Sequence, residues 1–184
     1  RKRFYQLLQN LKSIRKIVNY LDDLFDKKNI YNLLGFKSIS LFNGLVVSIP
    51  NEEKSLNPLH QDIYAHYSKR YVKIWITMSK VNEKYGSMKM FKGSHKLGFI
   101  EPKYKNKIST YPEINNKFLK SYNSEIFDLN PGSLVIFNPF VTHKSVKNTS
   151  DKVRFTIGMD IQDLDLTGGN ALFNRMMHIS QSRS

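Results

Sequence analysis

Leu129-Asn130-Pro131-Gly132-Ser133-Leu134-Val135-Ile136-Phe137 reads as a turn feeding a buried strand. Asn, Pro and Gly supply the bend, and the apolar, β-branched run after it suits a pleated, packed surface. After Asn138-Pro139 the chain re-enters strand at Val141. Side chains alternate along a strand, so His143 and Ser145 share one face of the run Val141 to Val146. A turn at Asn148-Thr149-Ser150-Asp151 then leads into Val153 to Met159, where Arg154 and Thr156 share a face. As a simple hairpin, these two strands would set Ser145 opposite Arg154 and His143 opposite Thr156; in a jelly roll they would face each other across the core. Either way the polar set points inward, where an arginine without a partner is very costly.

That arginine calls for a carboxylate. Neither Asp151 nor Asp160 has an evident inward placement near it. A guanidinium fork takes a planar carboxylate through two parallel bonds, and a hydroxyl such as Ser145 adds one more. A dicarboxylate supplied from outside would meet the need; the alternative is a buried ion pair to Glu83, Glu125 or Asp128.

Upstream, His60-Gln61-Asp62 follows the Asn57-Pro58 turn. On a strand, a histidine and an aspartate two apart project from the same face while Gln61 points away. Joined by the distant His143, they make two imidazoles and one carboxylate, a set suited to an open Fe(II) site. An H-x-D triplet by itself is unspecific, and it gains meaning only with His143 and Arg154. Of the other histidines, His66, flanked by Tyr64 and Tyr67, is a candidate for the substrate mouth. His95 is read as a structural or substrate-side residue rather than a ligand.

Further strands are expected at Ser38 to Ile49 and Tyr71 to Met78. From Phe4 the residues Leu7, Leu8, Leu11, Ile14, Val18, Leu21 and Phe25 recur at helical spacing, and the first 25 residues read as amphipathic helix. Asp22 and Asp23 are placed to cap a second short helix ending near Leu34, with Gly35 as its left-handed terminus. Ile100 to Asn123 is the least regular stretch and reads as a long loop or lid. The expected fold is mainly β with flanking helices, a sandwich or barrel of short antiparallel strands. Residues 1–36 would support, within one domain, a catalytic core over 37–184.

At 184 residues the chain suits one domain with a real core. With no cysteine it has no disulfide, thiolate zinc site or cysteine nucleophile. No stretch approaches the roughly 20 apolar residues of a membrane helix, and nothing resembles a secretory signal. A soluble, cytoplasmic protein without membrane insertion is expected. The sequence starts at Arg1 rather than methionine, and a longer N-terminus is expected. The 29 Lys and Arg against 15 acids give +14. They are scattered rather than clustered on one run, and Asn and Ile are abundant too, so compositional bias is favoured over a nucleic-acid face. The charge is also compatible with an anionic small-molecule substrate.

Taken in order, His60-x-Asp62, Trp75, Gly86-Ser87-Met88, Gly93-Ser94-His95-Lys96, Pro131-Gly132-Ser133-Leu134, His143-x-Ser145 and Arg154 resemble the phytanoyl-CoA dioxygenase family of Fe(II)/2-oxoglutarate oxygenases. The resemblance covers roughly Ser38 to Asp160. It implies a double-stranded β-helix, or jelly roll of cupin type, with iron held by His60, Asp62 and His143. It also implies that Arg154 and Ser145 bind the distal carboxylate of 2-oxoglutarate and that Trp75 lies beside this co-substrate. The implied reaction consumes O2, releases succinate and CO2, and by default hydroxylates an aliphatic carbon; Asp62 fills the place that halogenating relatives leave to halide. Two rivals compete with this reading. A zinc hydrolase on the same ligands lacks an evident general base and leaves Arg154 unexplained. A non-enzymatic module binding an acidic polymer predicts dispensable histidines. The substrate, the carbon oxidised and the oligomeric state are not encoded legibly.

Overall fold

The computed structural model describes residues 12–27, 29–35, 39–53, 56–65, 71–103 and 113–163. Helix α1 (Lys12–Lys27) and the single turn α2 (Ile30–Leu34) precede seven strands: β1 (Ile39–Ser48), β2 (Tyr71–Thr77), β3 (Met88–Phe91), β4 (Ser124–Ile126), β5 (Leu134–Phe137), β6 (His143–Ser145) and β7 (Arg154–Asp163). They form a four-stranded sheet in the order β1-β7-β2-β5 and a three-stranded sheet in the order β4-β3-β6, antiparallel throughout. This is the expected mainly-β architecture, with the jelly-roll alternative realised: β6 and β7 lie in different sheets and are not a hairpin.

Alternation along β2 and β7 explains how one sheet serves two compartments. Ile74, Ile76, Ile157 and Met159 join Phe25 of α1 on the outer face, which the helices cover. Trp75 faces the other way, joining Met88 and Met90 of β3, Val81 and Val141 in the core between the sheets. On β7 the inward set is Arg154, Thr156 and Asp160, all buried. The inter-sheet core is thus apolar at one end and polar at the other. Among the described residues no helix is long and apolar enough to cross a membrane.

Several local readings change. Asp22 and Asp23 fall inside α1 rather than at the start of a second helix, and Asp23 pairs with Lys27 one turn on. The break between helices falls at Asn29, which takes the left-handed conformation (φ 56°), and Gly35 (φ 65°) ends α2 as expected. Strands β3 and β4 were not anticipated: one mixes lysine with methionine, and the other is only Ser-Glu-Ile. Of the expected lid, residues 104–112 lie outside the described residues. The part after them is anchored, since Ile114 is buried and its N–H donates to Leu59 O at 2.7 Å.

Candidate metal centre

His60 and His143 are joined through the main chain before their rings come into play. The N–H of each donates to the carbonyl of the other, at 2.9 and 3.0 Å, forming one isolated antiparallel bridge. His60 is therefore a single bridge residue rather than part of a strand. Asp62 opens a 3-10 turn (Asp62–Ala65) whose first N–H donates to Pro139 O at 3.0 Å. Gln61 points away as alternation requires, but it is buried and acts as a bolt. Its amide donates to Gly98 O and Phe140 O, both at 2.8 Å, and accepts from Ile100 N–H at 3.0 Å. From the Gly93 to Lys96 motif, it is Ser94 that points inward, where its Oγ accepts from Thr142 N–H at 2.8 Å beside His143.

The three side chains converge. His60 Nε2 lies 3.5 Å from Asp62 Oδ1 and His143 Nε2 lies 3.6 Å from Asp62 Oδ2. One ligand atom from each of the three lies within 4.8 Å of the others, and all three residues are buried. The other ring nitrogen of each histidine is committed: His60 Nδ1 to Pro58 O at 2.6 Å, His143 Nδ1 to Val141 O at 3.0 Å. A carbonyl can only accept, so both Nδ1 atoms carry hydrogen and both Nε2 atoms present a lone pair toward the carboxylate. That is the tautomer and orientation a metal-bound imidazole adopts.

Electrostatics bear on His143 and Asp62. Burial, reinforced by neighbouring His60, pushes His143 down to about 4 and keeps it neutral. Burial alone would raise Asp62, but Lys73, His143 and His60 outweigh it and hold the carboxyl well below the usual carboxylate range. Two imidazole nitrogens with lone pairs turned inward and one carboxylate suit a divalent metal.

The same cavity, about 130 Å³, is walled by His60, Asp62, Trp75, His143, Ser145 and Arg154 among others. Arg154 donates from Nε to Gly86 O at 2.9 Å and from Nη1 to Thr156 Oγ1 at 2.7 Å, and lies 5.6 Å over the Trp75 ring. Trp75 in turn donates to Thr156 Oγ1 at 2.9 Å. Gly86 is required here: its φ is +79°, and a Cβ would lie 2.7 Å from Ser48 Oγ and 2.9 Å from Asn148 Cβ. No carboxylate pairs with Arg154 among the described residues. Glu125 and Asp128, considered as partners, pair with Lys92 and Lys80 on the exterior. Burial pushes Arg154 down to about 10, which leaves it charged at neutral pH. Ser145 lines the cavity beside it, and its Oγ accepts from Asn57 N–H at 3.1 Å while keeping its own proton to donate.

One pair escaped the sequence reading. Asp160, taken to lack an inward placement, is buried and forms an ion pair with Lys73 Nζ at 2.6 Å; Lys73 also stands 3.8 Å from Asp62 Oδ2. The two face each other across β2 and β7. The available signal was periodicity, since Lys73 is two residues before Trp75 and Asp160 is in phase with Arg154 and Thr156. Of the proposed substrate-side residues, His95 sits on an exposed turn (Ser94–Leu97) and does not line this cavity. His66 and the side chain of Tyr64 lie outside what the structure describes.

A family profile described as phytanoyl-CoA dioxygenase (PhyH) matches residues 9–156. No curated protein matches the chain. Among solved structures it is similar to EvdO2 from Micromonospora carbonacea var. aurantiaca (17% identity, TM-score 0.63, covering 79% of this chain and 64% of that one). It is also similar to the carbocyclase SnoK from nogalamycin biosynthesis (18% identity, TM-score 0.57, covering 78% and 59%). A third is the epimerase SnoN, solved in complex with Fe3+, alpha ketoglutarate and nogalamycin RO (17% identity, TM-score 0.57, covering 72% and 53%). The chain thus spans between about half and two thirds of the length of these structures, and the likeness is one of fold.

Proposed function

Because the chain belongs to the phytanoyl-CoA dioxygenase family, we propose that it is an Fe(II)/2-oxoglutarate-dependent oxygenase that hydroxylates an aliphatic carbon of a small organic substrate. The observation that carries this reading is a conjunction in one cavity: a two-histidine, one-carboxylate donor set beside an inward arginine for which the described protein offers no carboxylate.

His60, Asp62 and His143 are the proposed iron ligands, through the two Nε2 atoms and the Asp62 carboxylate. These three residues would hold the metal and would leave room on it for a chelating keto acid and O2. Iron and 2-oxoglutarate, when bound, supply an oxidant able to take hydrogen from carbon, with release of succinate and CO2. Arg154 receives the distal carboxylate, with Ser145 donating a further hydrogen bond and Trp75 walling the site. Thr156 and Gly86 orient the guanidinium, and Lys73 neutralises the outer face of Asp62. The buried Met88, Met90 and Val141 keep water from the cavity. The epimerase and the carbocyclase of similar fold apply comparable cofactors to other outcomes by their names, and epimerisation or ring closure is the second reading for this site.

Purified chain incubated with Fe(II), 2-oxoglutarate and ascorbate is expected to release succinate, and His143→Ala or Asp62→Ala to abolish that release. Wild-type turnover in both variants would reject the reading. Mass analysis of the converted substrate separates a gain of one oxygen from an isomerisation or a loss of two hydrogens.

A further inference from the structure

The cavity at the triad is small. At about 130 Å³ it falls below the roughly 300–1,000 Å³ of ordinary ligand pockets, so a substrate reaching it must extend elsewhere. It shares three wall residues, Asn57, Lys144 and Ser145, with a cleft of about 780 Å³ on the outer side of the three-stranded sheet. Alternation in β3 and β6 explains the division: Met88, Met90 and His143 face the core, and Lys89 and Lys144 face the cleft.

Lys89 and Lys144 are directly opposed in the β3–β6 register. Like charges so placed repel, and the natural remedy is an acid within reach. The neighbouring Lys92 has one in Glu125, and Lys147 has Glu53. Lys89, Lys144 and Lys103, the third lysine of the cleft, make no ion pair with any described residue, although Glu113 also lines the wall. Phe91, Leu59 and Ile114 give the cleft an apolar side, and Asn57, Asn115 and Asn116 add hydrogen-bonding groups. A concave site with converging cations and an apolar wall fits a small organic anion better than a polymer lying along a convex face.

We propose that this cleft is an anion-binding subsite that holds a phosphate or carboxylate group of the substrate, remote from the carbon that reaches the triad. The link to a substrate rests on the oxygenase reading; the anion site does not.

The full chain, without iron or 2-oxoglutarate, is titrated calorimetrically with inorganic pyrophosphate and with citrate. Saturable one-to-one binding of either is expected, weakened at least tenfold in Lys89→Gln/Lys144→Gln. It should change less than twofold in Lys120→Gln/Lys152→Gln, which removes the same charge from exposed positions outside the cleft. Relief of the opposed charges should raise the melting temperature of Lys89→Gln by about 1–4 °C, showing that the variant is folded. Absence of saturable binding of both probes, or equal loss in the control pair, would overturn the proposal in favour of diffuse attraction by the +14 charge. Pyrophosphate binding without succinate release would defeat the oxygenase reading and leave the subsite standing; the reverse result would do the opposite.

Discussion

Arg154 is held by two donated hydrogen bonds, one to a carbonyl and one to a hydroxyl, and neither neutralises its charge. A hydrogen bond to a charged group contributes about 1.5–3 kcal/mol, so Arg154→Ala should raise the KM for 2-oxoglutarate by about 10–100-fold. Iron affinity, measured by equilibrium metal binding, should change little, because none of the three proposed donors touches it. An unchanged co-substrate requirement would remove Arg154 from its role. Arg154 was legible because strand alternation put it in phase with Thr156, and because a buried cation needs explaining. Lys73 was not: a lone lysine in a strand ordinarily lays its stem on the sheet and keeps its charge in water. Here 21% of its side chain is exposed, and the ammonium is turned onto Asp160. Its role depends on the β2–β7 register, which no local pattern prints.

Short elements owe their existence to partners. Residues 124–126 carry a single strand former, Ile126, and they form β4 because Met90 and Phe91 offer backbone opposite Glu125 and Ser124. The same holds at the triad, where an extended run was expected from His60 to Asp62. The chain instead makes one bridge and a 3-10 turn, positioned by Gln61. Replacing Gln61 with alanine strands Gly98 O, Phe140 O and Ile100 N–H in a buried place. Each unsatisfied group costs about 1–3 kcal/mol, and part relaxes onto water, so Gln61→Ala should cost roughly 2–4 kcal/mol in chemical denaturation. Metal affinity should fall as well, since His60 and Asp62 flank the bolt. A variant with unchanged stability and metal binding would show that the turn holds itself. The long strands and α1, by contrast, were readable from periodicity, since two-sided burial of β2 and the helical spacing up to Phe25 leave their mark on many residues at once.

Across the whole molecule, the sequence order of the motifs anticipated the jelly roll, while the pairing of sheets decided which polar residues meet. Folding buries His143 as the neutral imidazole, down to about 4 from an ordinary value near 6.5. Between these values the unfolded chain binds the proton and the folded one does not, so acid favours unfolding. Metal-free protein should therefore lose stability as pH falls from about 6.5 toward 4, with His143→Gln flattening that slope in thermal melts recorded across the range. A slope unaltered in His143→Gln would place the titration elsewhere.

The main-chain rung between His60 and His143 has one more consequence. Because the two histidines are fastened to each other backbone to backbone, their spacing is set at that rung, although strands β2 to β5 intervene along the chain. Part of the cleft wall, Lys89, Phe91, Lys103 and Ile114 among it, belongs to that intervening stretch, as does the turn at Ser94–Leu97. Changes on the lysine-bearing side of β3 therefore leave the rung in place, whereas changes at Ser94, Gly98 or Ile100 reach it through Thr142 and Gln61.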